Sequence, residues 1–253
     1  MEEQHPSAEK VKPMSFVEKL TNVFASPGEL FENVRLTEKT TSNWAVPMII
    51  MIVVVIAMGQ IIVHNASLAD QLGETIKKGF DKQVQEGKMP QERADQAYEQ
   101  FARPGSTMFT IFQIGAIVIG TPIFLFLLGL VYWLLGKWGL KASAPYMKVV
   151  EVVGLTFFIA VLGSIVTTLM MVAMDSIYAS PGLGAFVSNF SMENKLHLAL
   201  AKVNVFTIWS LVVVSSGLAK LFQRDYAKVL VLILVLWVLW FALTIALGIN
   251  LGM

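Results

Sequence analysis

Glu151 is the only carboxylate inside a long apolar run of this chain, and Lys148 precedes it by three residues, so the two side chains share one helix face. An acid so placed can carry a proton or hold a cation. Beside a lysine, about one turn into its run, it can equally form an ion pair whose members reach the interface. Charged groups at the centre of a spanning helix cost about 2.5–3.5 kcal/mol on the insertion scale, which makes each a functional candidate by default. Lys202, near the other end of a later run, can snorkel to the interface in the same way. The apolar runs also carry the amides Gln60, Gln113, Asn204 and Asn250, with Thr167, Thr168 and Ser210 nearby. Such groups can line a solute path or hydrogen-bond between packed helices, the latter at about 0.6–2 kcal/mol each. Small residues four apart, Ala116 with Gly120 and Gly248 with Gly252, would let helix backbones approach closely.

Other chemistries find no residues to carry them. The chain has no cysteine, which removes disulfides, thiolate metal sites and cysteine nucleophiles. His5, His64 and His197 stand far apart, without the spacing of a zinc site. The Gly-Lys of LLGKWGLK lacks the glycine spacing and the hydroxyl residue of a phosphate-binding loop, and no Gly-x-Ser-x-Gly elbow occurs. The sequence therefore calls for no catalytic set, no cofactor and no metal. A net charge of +1 without a dense basic stripe gives no surface for nucleic acid.

The elements that must position these residues are membrane spans. With 55% hydrophobic residues and a mean hydropathy of +0.65, the chain is too apolar for a soluble domain. A span needs about 20 predominantly apolar residues, and five runs meet that length, at about 44–63, 107–135, 149–174, 198–222 and 229–251. Pro122 within the second predicts a kink, the feature that marks some transport sites. The acidic first residues lack a basic segment leading into an apolar run, so the first span is expected to direct insertion itself. Lys137, Lys141 and Lys148 between spans two and three, and Lys220, Arg224 and Lys228 between spans four and five, predict a cytoplasmic N-terminus and a C-terminus outside.

Two segments outside the spans have helical patterns of their own. In the 64–106 connection, Leu68, Leu72, Ile76, Phe80 and Val84 recur every fourth residue, a break follows at Gly87–Pro90, and Ala94, Ala97, Tyr98 and Phe101 form a second stripe before Pro104-Gly105. This reads as a helical hairpin outside the membrane. The N-terminal arm, residues 1–43, places Phe16, Val17, Leu20, Val23 and Phe24 at helical spacing. Ser26, Pro27 and Glu29 then read as a capping box that opens a second helix carrying Leu30, Phe31 and Val34. Neither helix is long enough to stand alone in water. Each needs a surface, at the headgroup boundary, at the ends of the bundle, or both. Phe16, Leu20, Phe24, Pro27, Leu30 and Phe31 are the candidate membrane-surface or partner contacts.

An arm of the form Phe24-x-Ser26-Pro27-x-Glu29-x-Phe31 ahead of five spans resembles bacterial members of the Yip1 family. So do Tyr146-Met147-Lys148 followed by Glu151 and Gly154, and Trp209-Ser210-Leu211 followed by Gly217-Leu218. The resemblance covers nearly the whole chain through short motifs. It implies an all-helical five-span protein with a cytosolic N-terminus, and, for a bacterial member, a multi-pass place in the inner membrane. Eukaryotic relatives associate with Rab-type GTPases, but the Asp-Leu-x-Gly-Pro and Gly-Tyr motifs of that branch are missing and Gly154 is followed by leucine, so GTPase binding is not carried over. The fold class expected is an all-α membrane protein with five transmembrane helices, an amphipathic arm and an extracytoplasmic hairpin. The function expected is that of a non-enzymatic organiser or partner of other membrane components, in contact with lipids and with membrane proteins or further copies of itself. The alternative is a small-solute transporter or permease component built on Gln113, Glu151 and Asn204.

Overall fold

A computed structural model describes residues 11–187 and 194–246. Asn250, Gly248, Gly252 and His5 lie outside the described residues, as does the side chain of Lys202. Every extended element among the described residues is a helix, and the lone β-bridge joins Gly182 to Asn204. Five helices are long and apolar enough to cross a membrane: α3 (Ser42–His64), α6 (Thr107–Leu134, continued by a π-helical turn to Gly139), α7 (Tyr146–Ala173), α9 (Val205–Phe222) and α10 (Tyr226–Ala246, with Tyr226–Thr244 as the spanning part). Ahead of them lie α1 (Phe16–Ala25) and α2 (Pro27–Leu36). Between the first two spans lie α4 (Ala66–Gln85) and α5 (Gln91–Ala97), and α8 (Lys195–Lys202) precedes α9.

α7 is the axis of the bundle. Val149, Val150, Val152, Val153, Leu155 and Ile159 are all buried, so the first half of the helix is enclosed on every side, whereas Leu169 and Val172 in its last turns are exposed. α3, α6, α9 and α1 pack against it, whereas α10 joins chiefly through α9 and leaves Leu239, Trp240 and Leu243 exposed to the surrounding lipid. Glycines set how closely the helices approach. A Cβ on Gly154 would sit 2.5 Å from the Cα of Trp44, and one on Gly163 would sit 2.9 Å from the Cβ of Phe206. Gly217 is as tight, facing Val152 and Phe31. The Ala116–Gly120 stripe is different: both residues are exposed, and Gly120 meets nothing within 4 Å. α6 runs unbroken through Pro122, inside a helix that neighbours can support.

Two sequence-based expectations change at helix starts. Ser26 makes no side-chain cap to α2, because it is also the residue that closes α1, donating its N–H to Asn22 O, and its backbone is bent to serve both helices. The capping box lies one helix earlier: Ser15 N–H donates to Glu18 Oε2 (2.6 Å) and Glu18 N–H to Ser15 Oγ (3.3 Å). The fourth span does not begin at 198. Asn204 is extended (φ −108°, ψ 142°), accepts a hydrogen bond from Phe206 N–H with its side chain, and is paired to Gly182, so 195–202 forms a helix of its own.

The connections gather at two ends. At one end Arg224 donates to the carbonyls of Leu140 and Lys141 (both 3.0 Å), joining the 140–145 link to the turn after α9 beside the arm. At the other end α4 folds back on α5 and its π-helical extension Tyr98–Ala102, with Gly73 against the Tyr98 hydroxyl. There Gln71 donates to Asp175 O (2.9 Å) and accepts from Ile177 N–H (3.1 Å), tying α4 to the loop after α7.

Candidate functional site

The arm is part of the bundle. α2 lays Leu30, Phe31 and Val34 into the groove between α7 and α9, where they are 0%, 1% and 1% exposed. Transfer of each such side chain from water is worth about 1.5–3 kcal/mol. Leu30 and Phe31, expected among the surface contacts, are therefore used up inside the chain: the groove beside Gly217 is deep enough to take them. Phe24 packs edge-on against Trp209 with centroids 5.6 Å apart, and Leu20 and Pro27 are half-buried. Phe16 is 46% exposed, with its ring edge against Phe158, and Val17 beside it is 68% exposed. Met14 N–H donates to Asn33 Oδ1 (3.1 Å) and Asn33 Nδ2 to Lys12 O (2.9 Å), which pins the chain ahead of α1 to α2.

Beneath the arm lies a buried charged cluster. Lys148 and Glu151 do form an ion pair, at 3.2 Å, but it is enclosed rather than interfacial, at 5% and 1% exposure. The three protons of the Lys148 ammonium each have an acceptor: Glu151 Oε2, Val34 O at 2.8 Å and Glu38 O at 2.9 Å. Glu151 accepts two further hydrogen bonds, from Thr40 N–H at 3.0 Å and from Asn43 Nδ2 at 2.7 Å. Asn43 then accepts from Lys19 Nζ at 2.7 Å, reaching back to α1. Burial holds the Lys19 ammonium below the ordinary lysine range, the nearby Glu151 carboxylate works the other way, and Lys148 adds repulsion. The cluster joins α1, the 34–40 segment, the start of α3 and α7 at one point. A Glu151 whose oxygens are so fully engaged serves as a tie between segments. Sequence spacing exposed the Lys148–Glu151 pair; Lys19 and Asn43 lie 24 residues apart and over 100 from Glu151, with no local signal connecting them.

Gln113 and Asn204 lie elsewhere, together on one cavity of about 480 Å³ between α3, α6, α7 and α9. Gln60 Nε2 donates to Gln113 Oε1 (3.1 Å), an interhelical amide bond beside Gly59. Asn204 is the cap of α9. Among the described residues no three His, Asp or Glu side chains stand close enough to hold a metal ion.

This architecture, five spans of which one is buried at the centre, with an N-terminal arm tied into the bundle by ionic and apolar contacts, defines a multi-pass, all-helical integral membrane protein. The Yip1 domain model matches residues 21–248, and the chain belongs to the Yip1 family. No curated protein and no solved structure matches it. The motif residues of the resemblance meet at the seam: Phe24 on Trp209, Phe31 on Gly217, and Lys148 and Glu151 beside Gly154.

Proposed function

We propose that this protein is a non-catalytic component of the bacterial inner membrane that organises or partners other membrane components, with its N-terminus in the cytoplasm and its C-terminus outside. The observation that carries this reading is the seam. Lys19, Lys148 and Glu151, the charged groups buried in the bundle among the described residues, are engaged in holding the arm in one geometry, and a pre-set surface is what recognition needs. The arm offers its uncovered apolar edge, Phe16 and Val17, to lipid or to a membrane partner, and the hairpin offers Phe101 (45% exposed) at the opposite end. Lipids, membrane-protein partners and a second copy of the chain are the components such edges fit.

The rival reading, a small-solute transporter or permease component, draws on the cavity shared by Gln113 and Asn204. Photo-crosslinkers at positions 16 and 101 in native membranes test the first reading, with discrete protein adducts expected at one or both positions and lost from the arm on Val17→Glu. Flux into proteoliposomes tests the second. Adducts to lipid alone, combined with a flux that collapses in a folded Gln113→Leu variant, would give the argument to transport.

A further inference from the structure

The walls of the 480 Å³ cavity are each one helical face. From α3 come Val55, Met58, Gly59 and Ile62, and from α7 come Ser164, Thr167, Thr168 and Met171. Both sets have i, i+3, i+4, i+7 spacing, so each is a single stripe. Apolar side chains thus stand on α3 across from a row of hydroxyls on α7. Gln113 faces in from α6 and Thr207 from α9, and residues 177–180 close one side, held by Gln71 of α4. In that wall the Ser180 hydroxyl oxygen is buried without a hydrogen-bond partner. Buried hydroxyls are ordinarily paired, and this one, covered in the ligand-free structure, gains a partner when its side chain turns toward the cavity that Ser180 lines.

The lining restricts what that partner is. Among the described residues that form it there is no charged side chain, so an ion would give up its hydration without meeting a countercharge. The volume falls in the range of small-molecule sites, about 300–1,000 Å³. Mixed walls suit a guest with C–H surface on one side and several hydroxyls on the other. We propose that the cavity binds an uncharged polyhydroxylated group of glycerol type. Its carbon faces lie against Val55, Met58 and Ile62, and its hydroxyls pair with Ser180, Thr167 and the Gln113 amide. The source is either a free polyol or the glycerol headgroup of a neutral lipid. The inference stands on the cavity alone and is independent of the partner role proposed above.

Full-length protein in phosphatidylcholine nanodiscs tests it with two probes. Saturation-transfer NMR reports on sorbitol, and scintillation proximity on tritiated 1-monooleoylglycerol. At least one is expected to bind, and the one that does identifies the source. Ser180→Ala should weaken that affinity about tenfold while leaving the ligand-free melting temperature unchanged or raised, since a lone buried hydroxyl is removed. Thr167→Phe, which fills the space, should abolish binding. The proposal is overturned if neither probe binds, if both variants bind as wild type does, or if lysophosphatidylglycerol binds as tightly as the neutral lipid.

Discussion

At the scale of single residues, the balance at Glu151 is between desolvation and pairing. Removing one member of a buried ion pair costs about 3–5 kcal/mol, because the other is left charged and unpaired, whereas replacing both by apolar residues can be nearly neutral. Glu151→Ala strands Lys148 and takes the acceptor from Thr40 N–H and Asn43, so its melting temperature in detergent should fall sharply. A Lys148→Met/Glu151→Leu double variant should lose less than the two single losses added together. Strict additivity would show that the two groups do not act as a unit. Glu18 makes a pH prediction. Its hydrogen bonds with the backbone and then the side chain of Ser15 hold its carboxyl below the ordinary value of 4.5. A group whose folded pKa is depressed contributes stability above its unfolded value and loses it as pH falls through the folded one. The first turn of α1 should therefore begin to fray below about pH 4.5, seen as faster amide exchange there, and Glu18→Gln should remove that pH dependence.

At the scale of elements, close approach decides which glycines matter. Gly217→Ala drives a methyl group into Val152 and Phe31, and overpacking of this kind typically costs about 1–3 kcal/mol. Because Phe31 belongs to α2, the same change should loosen the arm and raise protease cleavage near residues 25–27. Gly120→Ala meets open space on a lipid-facing stripe and should leave stability level or slightly higher, as alanine favours helix by about 1 kcal/mol over glycine. Equal losses at the two sites would contradict the packing described here. The sequence pattern located α1 and α2 and their apolar stripes. It did not say what covers those stripes, because an amphipathic helix looks the same whether its partner is a bilayer or another helix. Likewise, small-residue spacing pointed to Ala116 and Gly120, while the glycines that let helices touch are 154, 163 and 217. A lone glycine between bulky neighbours carries no periodicity to read.

For the molecule as a whole, the proposed topology places the two chain ends on opposite faces. Reporter fusions at each end should give opposite compartment signals, with the N-terminal one cytoplasmic. Signals from the same side would overturn the topology. Truncation of the arm has a structural consequence too. Residues 14–35 cover Val152, Leu218 and the Lys148–Glu151 pair, so their deletion should destabilise the bundle itself, and loss of a partner after that deletion says nothing specific about the arm. A charge introduced on the exposed edge, as in Val17→Glu, is the cleaner probe.

What the sequence by itself determined is the part written in local composition: five apolar runs, the helical stripes between and before them, and the ion pair three residues apart on α7. Each is encoded within a window of one helix, by solvation and by the 3.6-residue turn. Only the tertiary structure decided that Lys19 and Asn43 complete the Glu151 cluster, that Leu30 and Phe31 face inward, that Asn204 ends a helix rather than lying inside one, and that Gln113 and Ser180 share a cavity. Those outcomes depend on which faces meet across contacts between residues far apart in the chain, such as Lys148 to Val34, 114 residues away. Chain-distant pairing is set by the packing of the whole bundle, a quantity that no single stretch of residues contains.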